Sequence, residues 1–227
     1  PVNIEADSLN AAFLGDDVEP GSETWNLMVR EVAREVTQKS GQKCTAVRRI
    51  FVPDSRRDAF VESFLEEVSS RVTGSPDDET VNMGPLATAD QLSSVLDGVN
   101  KLKEVADVIH GNGERCDGVG AEAGKGYFFA PTILEARDEG GADVIHDLEV
   151  FGPVSTICRL PYWSLAWTKK LCGTPAWAEI TAVPEATLLG AWLTAGTTVM
   201  VTGALATPSL ARVAFRTYWP ACVTIIV

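Results

Sequence analysis

Helix-like and strand-like segments alternate along the first 158 residues, and this alternation limits the folds that the chain can adopt. Apolar residues spaced three and four apart predict a helix that Ser22 caps, that runs to about Lys39 and that Gly41 stops. A short apolar run predicts a strand over residues 48–52. Such alternation is typical of α/β proteins, in which helices flank a mostly parallel sheet.

Two possible capping boxes and three further extended segments continue this pattern. Ser55 and Asp58 have the spacing of a capping box for a second helix, and Thr88 and Gln91 open a third helix that runs toward Glu104. Extended segments are predicted over residues 108–110, 127–134 and 154–158. We therefore expect one α/β unit over this part of the chain.

Charge divides the chain into two parts. Residues 1–158 carry 29 acidic and 14 basic side chains, whereas residues 159–227 carry 2 acidic and 5 basic ones, together with five of the six tryptophans. So abrupt a change suggests two segments of different origin. We predict a folded unit over residues 1–158 and an atypical tail over residues 159–227 that arises from a reading-frame shift, which reading the coding DNA in the other two frames would test.

The overall composition excludes several classes of protein. The net charge of −12 argues against a nucleic-acid binder. Five cysteines without ligand spacing argue against a disulfide framework and a metal site, and favour the reducing cytoplasm. Residues 186–211 carry no charge and are long enough to span a bilayer, but their threonines and glycines argue against a membrane span. The chain starts at Pro1, and we expect it to be a fragment of a longer protein.

Cys44 is the first candidate for chemistry, because it lies in a turn between a predicted helix and a predicted strand. α/β sheets place their chemistry at the ends of such elements. Neighbouring backbone N–H groups can stabilise a thiolate or an oxyanion there, and Lys43 is expected to add positive potential. The alternative is that Cys44 is a small buried packing residue.

Two glutamates are the next candidates. Glu5 follows a short strand-like segment and can serve as a general base if it is half-buried. Glu149 precedes the turn at Gly152 and Pro153 and can hold a pair of sugar hydroxyls. The alternatives are a solvated turn residue for Glu5 and an ordinary loop residue for Glu149.

Five short motifs, taken together, resemble the aldehyde dehydrogenase superfamily, and the resemblance covers residues 1–158. In chain order they are Glu5, Gly41-Gln42-Lys43-Cys44, Met83-Gly84-Pro85-Leu86, residues 126–134, and Glu149-Val150-Phe151-Gly152-Pro153. Each motif is weak alone, but five in this order are specific. Residues 2–10 and 41–49 look like the branch that oxidises coenzyme A-linked semialdehydes in phenylacetate or benzoate degradation.

The resemblance implies a role for four residues. Cys44 matches the nucleophile, and Glu5 matches the general base that activates water to hydrolyse a thioester. Glu149 matches the residue that binds the nicotinamide ribose, and Phe151 would pack beside the cofactor, which is NAD or NADP. The implied substrate is a small aldehyde, with a coenzyme A thioester as one candidate, and the implied full-length parent is a homo-oligomer.

The resemblance also defines what the chain lacks. The family carries an N-terminal cofactor domain before the position of Glu5, where this chain has four residues, and residues from about 159 onward show no family feature. We therefore expect an aldehyde dehydrogenase-like catalytic domain that is inactive or nearly so by itself. The alternative function is a non-catalytic remnant that acts only in subunit packing.

Overall fold

The computed structural model describes residues 8–160 and the backbone of residues 224–226. The helices are α1 (Glu23–Thr37), α2 (Arg57–Ser69), α3 (Ala89–Lys103) and the short α4 (Asp143–Asp147). The strands are β1 (Asn10–Phe13), β2 (Val47–Pro53), β3 (Ala106–His110), β4 (Thr132–Ala136), β5 (Val154–Leu160) and β6 (Thr224–Ile226). Short 3₁₀ turns at Gln38–Gly41 and Asp54–Arg56 follow α1 and β2.

The strands form one sheet in the order β3-β4-β5-β2-β1-β6. Neighbouring strands run parallel except for the pair of β3 and β4, which is antiparallel. Parallel neighbours need crossover connections, and these contain α1 between β1 and β2 and α4 between β4 and β5. The prediction of a mostly parallel sheet is therefore confirmed.

Helices cover both faces of this sheet. Successive side chains of a strand point to opposite faces, and Ile50 and Phe51 of β2 accordingly belong to different apolar clusters. The cluster with Ile50 contains the apolar stripes of α1 and α2, whereas the cluster with Phe51 contains that of α3. Helices α1 and α2 meet through Trp25, whose ring lies edge-on to Phe60 at 5.9 Å between centroids. The sheet is thus buried on both faces, as parallel sheets usually are.

The cap predictions had mixed outcomes. The hydroxyl of Ser22 accepts a hydrogen bond from the backbone N–H of Trp25, and the hydroxyl of Thr88 accepts one from Gln91, so both predicted caps are confirmed. The predicted box at Ser55 is wrong, because the Ser55 hydroxyl donates instead to Asp16 at 2.9 Å and α2 has no side-chain cap.

Predictions on the tail lie mostly outside the described residues. The uncharged run 186–211 and nearly all of the segment 159–227 are not described. Within the part of the chain that the structure does describe, no helix is long and apolar enough to cross a membrane. The same residues contain no cluster of histidine, cysteine and carboxylate side chains that could hold a metal ion.

Candidate active site

Two of the sequence motifs, those that contain Cys44 and Phe151, lie at the same end of the sheet. Asn10, Val47, Thr132 and Val154 begin four strands that lie side by side and run in the same direction. Cys44 lies three residues before β2, and Phe151 lies three residues before β5. Both therefore lie at the amino ends of the strands. Open α/β sheets usually bind ligands at the carboxyl ends of the strands, so the position of Cys44 departs from this general rule.

The turn that carries Cys44 (the Cys44 turn, residues 41–46) is fixed by its backbone. After α1 the chain passes through left-handed conformations at Lys39, Ser40 and Gly41, with φ angles of 54°, 56° and 67°. The backbone N–H of Ala46 then donates to the carbonyl of Lys43 at 3.0 Å. Cys44 itself is exposed. The alternative interpretation of Cys44 as a buried packing residue is therefore wrong.

Side chains from the start of β1 anchor the Cys44 turn. The carbonyl oxygen of Cys44 accepts hydrogen bonds from the hydroxyl of Ser8 at 2.6 Å and from the side-chain amide of Asn10 at 2.7 Å. The same amide group also donates to the carbonyl of Ala46 at 3.1 Å. Asn10 is 1% exposed, so these bonds form away from bulk water, where such bonds are costly to lose. The backbone that holds the thiol is thus tied to the sheet.

Lys43 does not act as expected. Its ammonium group donates to both carboxylate oxygens of Glu35 at 2.8 Å and to the side-chain carbonyl of Gln38 at 3.0 Å. The positive charge is therefore matched by a carboxylate on α1. The pairing with Glu35 reduces the positive potential that Lys43 can supply to Cys44.

Glu149 lies beside the Cys44 turn, in the segment before β5 (the Glu149 loop, residues 149–153). Its Oε2 atom accepts from the backbone N–H of Ser8 at 3.0 Å, and its Oε1 atom lies 3.3 Å from the Ser8 hydroxyl and 3.4 Å from the guanidinium of Arg48. The side chain is 8% exposed. Glu149 is therefore held in place, unlike an ordinary solvated loop residue.

Ser8 bridges Cys44 and Glu149. Its single hydroxyl proton goes mainly to the closer acceptor, the Cys44 carbonyl, while its backbone N–H serves the carboxylate of Glu149. One residue thus spans the distance between the candidate nucleophile and the candidate cofactor-binding carboxylate.

Phe151 completes the group of sequence-predicted residues that the structure describes. Its side chain is 38% exposed, and the guanidinium carbon of Arg48 lies 5.6 Å from the ring centroid. This arrangement fits a nicotinamide riboside: an exposed aromatic surface lies next to a carboxylate, and each carboxylate oxygen can accept two hydrogen bonds, so Glu149 can share with a ribose hydroxyl. Glu5 lies outside the described residues.

The other described thiols differ from Cys44. Cys116 is half-buried, and burial raises its pKa. Cys158 is buried in β5, and burial raises its pKa to about 12. A buried thiol with a raised pKa is a poor nucleophile near neutral pH. Of the described cysteines, Cys44 alone combines exposure with a position beside the predicted cofactor residues.

Sequence reasoning missed the residues that hold the site together. Neither composition nor periodicity singles out Ser8, Asn10, Gln42 or Arg48, and all four lie only within longer motif stretches that resemble the family. The amide of Gln42 donates to the side chain of Gln91 at 2.6 Å, which joins the Cys44 turn to α3. Each of these contacts joins segments far apart in sequence, so no local signal could have revealed it.

A cavity lies at the opposite ends of the strands, away from the candidate site. It has a volume of about 440 Å³, and its lining includes Arg57, Asp107, Glu135 and Arg137. Arg57 pairs with Glu135, and Arg137 pairs with Asp107. Because these charges are matched to one another, the cavity offers no free group for chemistry.

Comparison with known families decides the relationship that the motifs suggested. The model of the aldehyde dehydrogenase family matches residues 4–164. The chain belongs to the aldehyde dehydrogenase family. The match includes all four residues to which the resemblance assigns a role.

Individual members of this family show how much of the protein is present. The chain is 39% identical over 161 residues to 3,4-dehydroadipyl-CoA semialdehyde dehydrogenase of Aromatoleum evansii, covering 71% of this chain and 31% of that protein. It is 30% identical over 167 residues to succinate-semialdehyde dehydrogenase [NADP(+)] 1 of Mycobacterium ulcerans, covering 65% of this chain and 34% of that protein. The chain thus spans about a third of the length of these relatives.

Solved structures agree on the fold of the aldehyde dehydrogenase catalytic domain. The succinic semialdehyde dehydrogenase of Streptococcus pyogenes, solved with NADP+, superposes with a TM-score of 0.57 at 26% sequence identity. The superposition covers 70% of this chain and 32% of that one. The expected α/β aldehyde dehydrogenase-like fold is confirmed.

Proposed function

We propose that this chain is the catalytic part of an NAD(P)-dependent aldehyde dehydrogenase, with Cys44 as its nucleophile. The observation that carries the proposal is the position of Cys44, which is exposed in a turn anchored by Ser8 and Asn10 and is linked through Ser8 to Glu149. The family match over residues 4–164 supports the same chemistry.

The proposed reaction assigns one step to each of two residues. The thiolate of Cys44 attacks the aldehyde carbon and forms a thiohemiacetal, whose oxyanion the local backbone N–H groups stabilise. Loss of hydride oxidises this carbon by two electrons and leaves a thioester on Cys44. Glu5 then takes a proton from water, the hydroxide attacks the thioester, and the carboxylic acid and the Cys44 thiolate are released.

The spacing along the chain supports the role of Glu5 in this scheme. Two residues lie between Glu5 and Ser8, so their Cα atoms are three residue steps apart, which an extended chain spans in at most about 11 Å. Ser8 contacts the carbonyl of Cys44 directly. This length allows the Glu5 carboxylate to lie one water molecule away from the thioester, as the proposal requires.

The cofactor would be held in part by Glu149 and Phe151, and its adenosine half would need a domain that lies before Glu5 in the family. NAD or NADP supplies the hydride acceptor when bound. Phe151 would pack against the nicotinamide, and Glu149 would accept hydrogen bonds from the ribose. The chain spans about a third of the length of its relatives, and we propose that by itself it does not reduce NAD or NADP at a measurable rate.

The proposed substrate is a semialdehyde, with a coenzyme A-linked one favoured. The support is the 39% identity to 3,4-dehydroadipyl-CoA semialdehyde dehydrogenase and the branch-specific sequence of residues 41–49. A role in phenylacetate or benzoate degradation, a cytoplasmic location and a homo-oligomeric parent belong to the same proposal.

An aldehyde should protect Cys44 from alkylation, because thiohemiacetal formation needs neither cofactor nor general base. With succinate semialdehyde or a coenzyme A-linked semialdehyde present, we expect iodoacetamide to label Cys44 at least about fivefold more slowly. Peptide mass spectrometry after timed quenching measures the rate. Favoured binding of the coenzyme A compound would appear as protection at lower concentration.

Two controls make this experiment specific. Succinate and acetyl coenzyme A lack the aldehyde carbon and carry no free thiol, so they should leave the rate unchanged, and labelling of Cys116 in the same samples should not respond to any of the compounds. If both aldehydes leave the labelling of Cys44 unchanged, the nucleophile assignment fails and the alternative of a packing remnant gains ground.

A further inference from the structure

A bulge at the start of β2 gives Arg48 an unusual position. Asn10 pairs with Val47 and the next residue of β1, Ala11, pairs with Arg49, so Arg48 is an extra residue in β2. Bulges re-aim side chains and are over-represented next to active sites.

The packing of β2 shows which way the bulge turns the side chain. Val47, Ile50 and Val52 all belong to the cluster under α1 and α2, although strict alternation would separate Val47 from Ile50. The bulge restores their common face and turns Arg48 to the opposite face. There Arg48 lines a small cavity of about 10 Å³ together with Val150.

From this position the guanidinium binds two separate segments at once. One terminal nitrogen donates to the carbonyl of Gly41 at 2.8 Å, in the Cys44 turn, and the other donates to the carbonyl of Gly152 at 2.7 Å, in the Glu149 loop. The same group lies 3.4 Å from the carboxylate of Glu149 and against the ring of Phe151. Arg48 thus contacts both segments that carry the candidate site.

Stability alone does not account for a charge at this place. Arg48 is 4% exposed, and its Nε atom has no hydrogen-bond partner among the described residues. Burial lowers the pKa of Arg48, and the attraction of Glu149 only opposes this effect. Burying an ion pair costs desolvation free energy that well-packed apolar residues would avoid. We therefore look for the role of Arg48 in the relative positions of the two segments whose carbonyls it binds.

We propose that Arg48 is a positioning residue that holds the Cys44 turn and the Glu149 loop at a fixed separation. Its planar group fixes two carbonyl oxygens from segments more than 100 residues apart in sequence, which a lysine ammonium cannot match in geometry. The chemical meaning of this role rests on the proposed function. Arg48 would set the distance between the reacting sulfur and the groups that bind the nicotinamide ribose.

Hydrogen exchange of the whole chain, measured by peptide mass spectrometry, tests this role. In the Arg48→Met variant we expect exchange in residues 41–46 and 149–153 to become about tenfold faster in both segments together. The amides of Ala46 and Gly152 report on the two segments, since both donate to nearby carbonyls. Helix α2 (residues 57–69), which Arg48 does not contact, should keep its protection.

Two further variants separate positioning from general destabilisation. Arg48→Lys keeps the charge, but its ammonium cannot hold both carbonyls in the geometry of the guanidinium, so both segments should exchange at rates between those of the wild type and of Arg48→Met. Arg57→Met removes a half-buried arginine that pairs with Glu135, away from both segments, and should leave their exchange unchanged.

Two results would overturn the proposal: wild-type exchange in both segments of the folded Arg48→Lys variant, or acceleration of only one of them. If Arg48→Met does not fold, the lysine variant decides by itself. None of these measurements involves an aldehyde or a cofactor. A negative result here does not change the expectation that aldehydes protect Cys44 of the wild-type chain from alkylation. The two proposals can therefore fail separately.

Discussion

Replacing Gly41 by alanine should lower the free energy of unfolding by about 2–5 kcal/mol, one of the largest effects of a single methyl group in this chain. Gly41 has a φ of 67°, a conformation that residues with a Cβ atom rarely adopt. A Cβ atom there would also lie 2.1 Å from the carbonyl oxygen of Gly152. The clash would push apart the Cys44 turn and the Glu149 loop.

Gly21 provides a matched control for this substitution. Its φ is 78°, but a Cβ atom at this position would meet nothing within 4 Å. Gly21→Ala should therefore cost only the backbone strain, about 1–2 kcal/mol. Urea unfolding of both variants measures the difference. Equal losses of stability would show that the close approach of Gly41 to Gly152 does not exist in solution.

Iodoacetamide should alkylate Cys44 at least about 100-fold faster than Cys158 at pH 7.5. Cys44 is exposed, whereas Cys158 is buried in the central part of the sheet with a pKa of about 12. At that pKa roughly one Cys158 thiol in ten thousand or fewer is ionised near neutral pH. Cys158 should react only when the sheet opens, and half-buried Cys116 should react at an intermediate rate.

The labelling experiment has internal controls. The Cys44→Ser variant should lose the fast phase and keep the slow ones, and unfolding in urea should bring the rates of Cys44 and Cys158 together. Peptide mapping assigns each phase to its cysteine. Equal rates for the two thiols in the native chain would contradict the exposure of Cys44 and remove the basis for its chemistry.

Local features of the fold were predictable from the sequence. The caps at Ser22 and Thr88 are contacts over three residues, so the pattern of side chains suffices to find them. The failed box at Ser55 shows the limit, because the Ser55 hydroxyl bonds to Asp16, which lies 39 residues away. Helix α1 also ends at Thr37, short of Lys39, since the chain turns left-handed before the glycine that was expected to stop it.

The candidate site, too, was predictable only in part. The order of motifs pointed to Cys44, Glu149 and Phe151. The structure brings all three together at the amino ends of the strands. The residues between them were not predictable, because a bulge in β2 aims Arg48 and the pairing of β1 with β2 brings Ser8 to both segments. Neither signal is present in any short stretch of sequence.

The most direct test of the account is the distance between the thiol of Cys44 and the carboxylate of Glu5 in a crystal structure of this chain. The proposed hydrolysis needs one water molecule between them, so we expect a separation of about 7 Å or less, with Glu5 on the Cys44 side of β1. A carboxylate more than about 12 Å away, or on the opposite face of the sheet, could not activate that water. Such a result would contradict the proposed thioester chemistry.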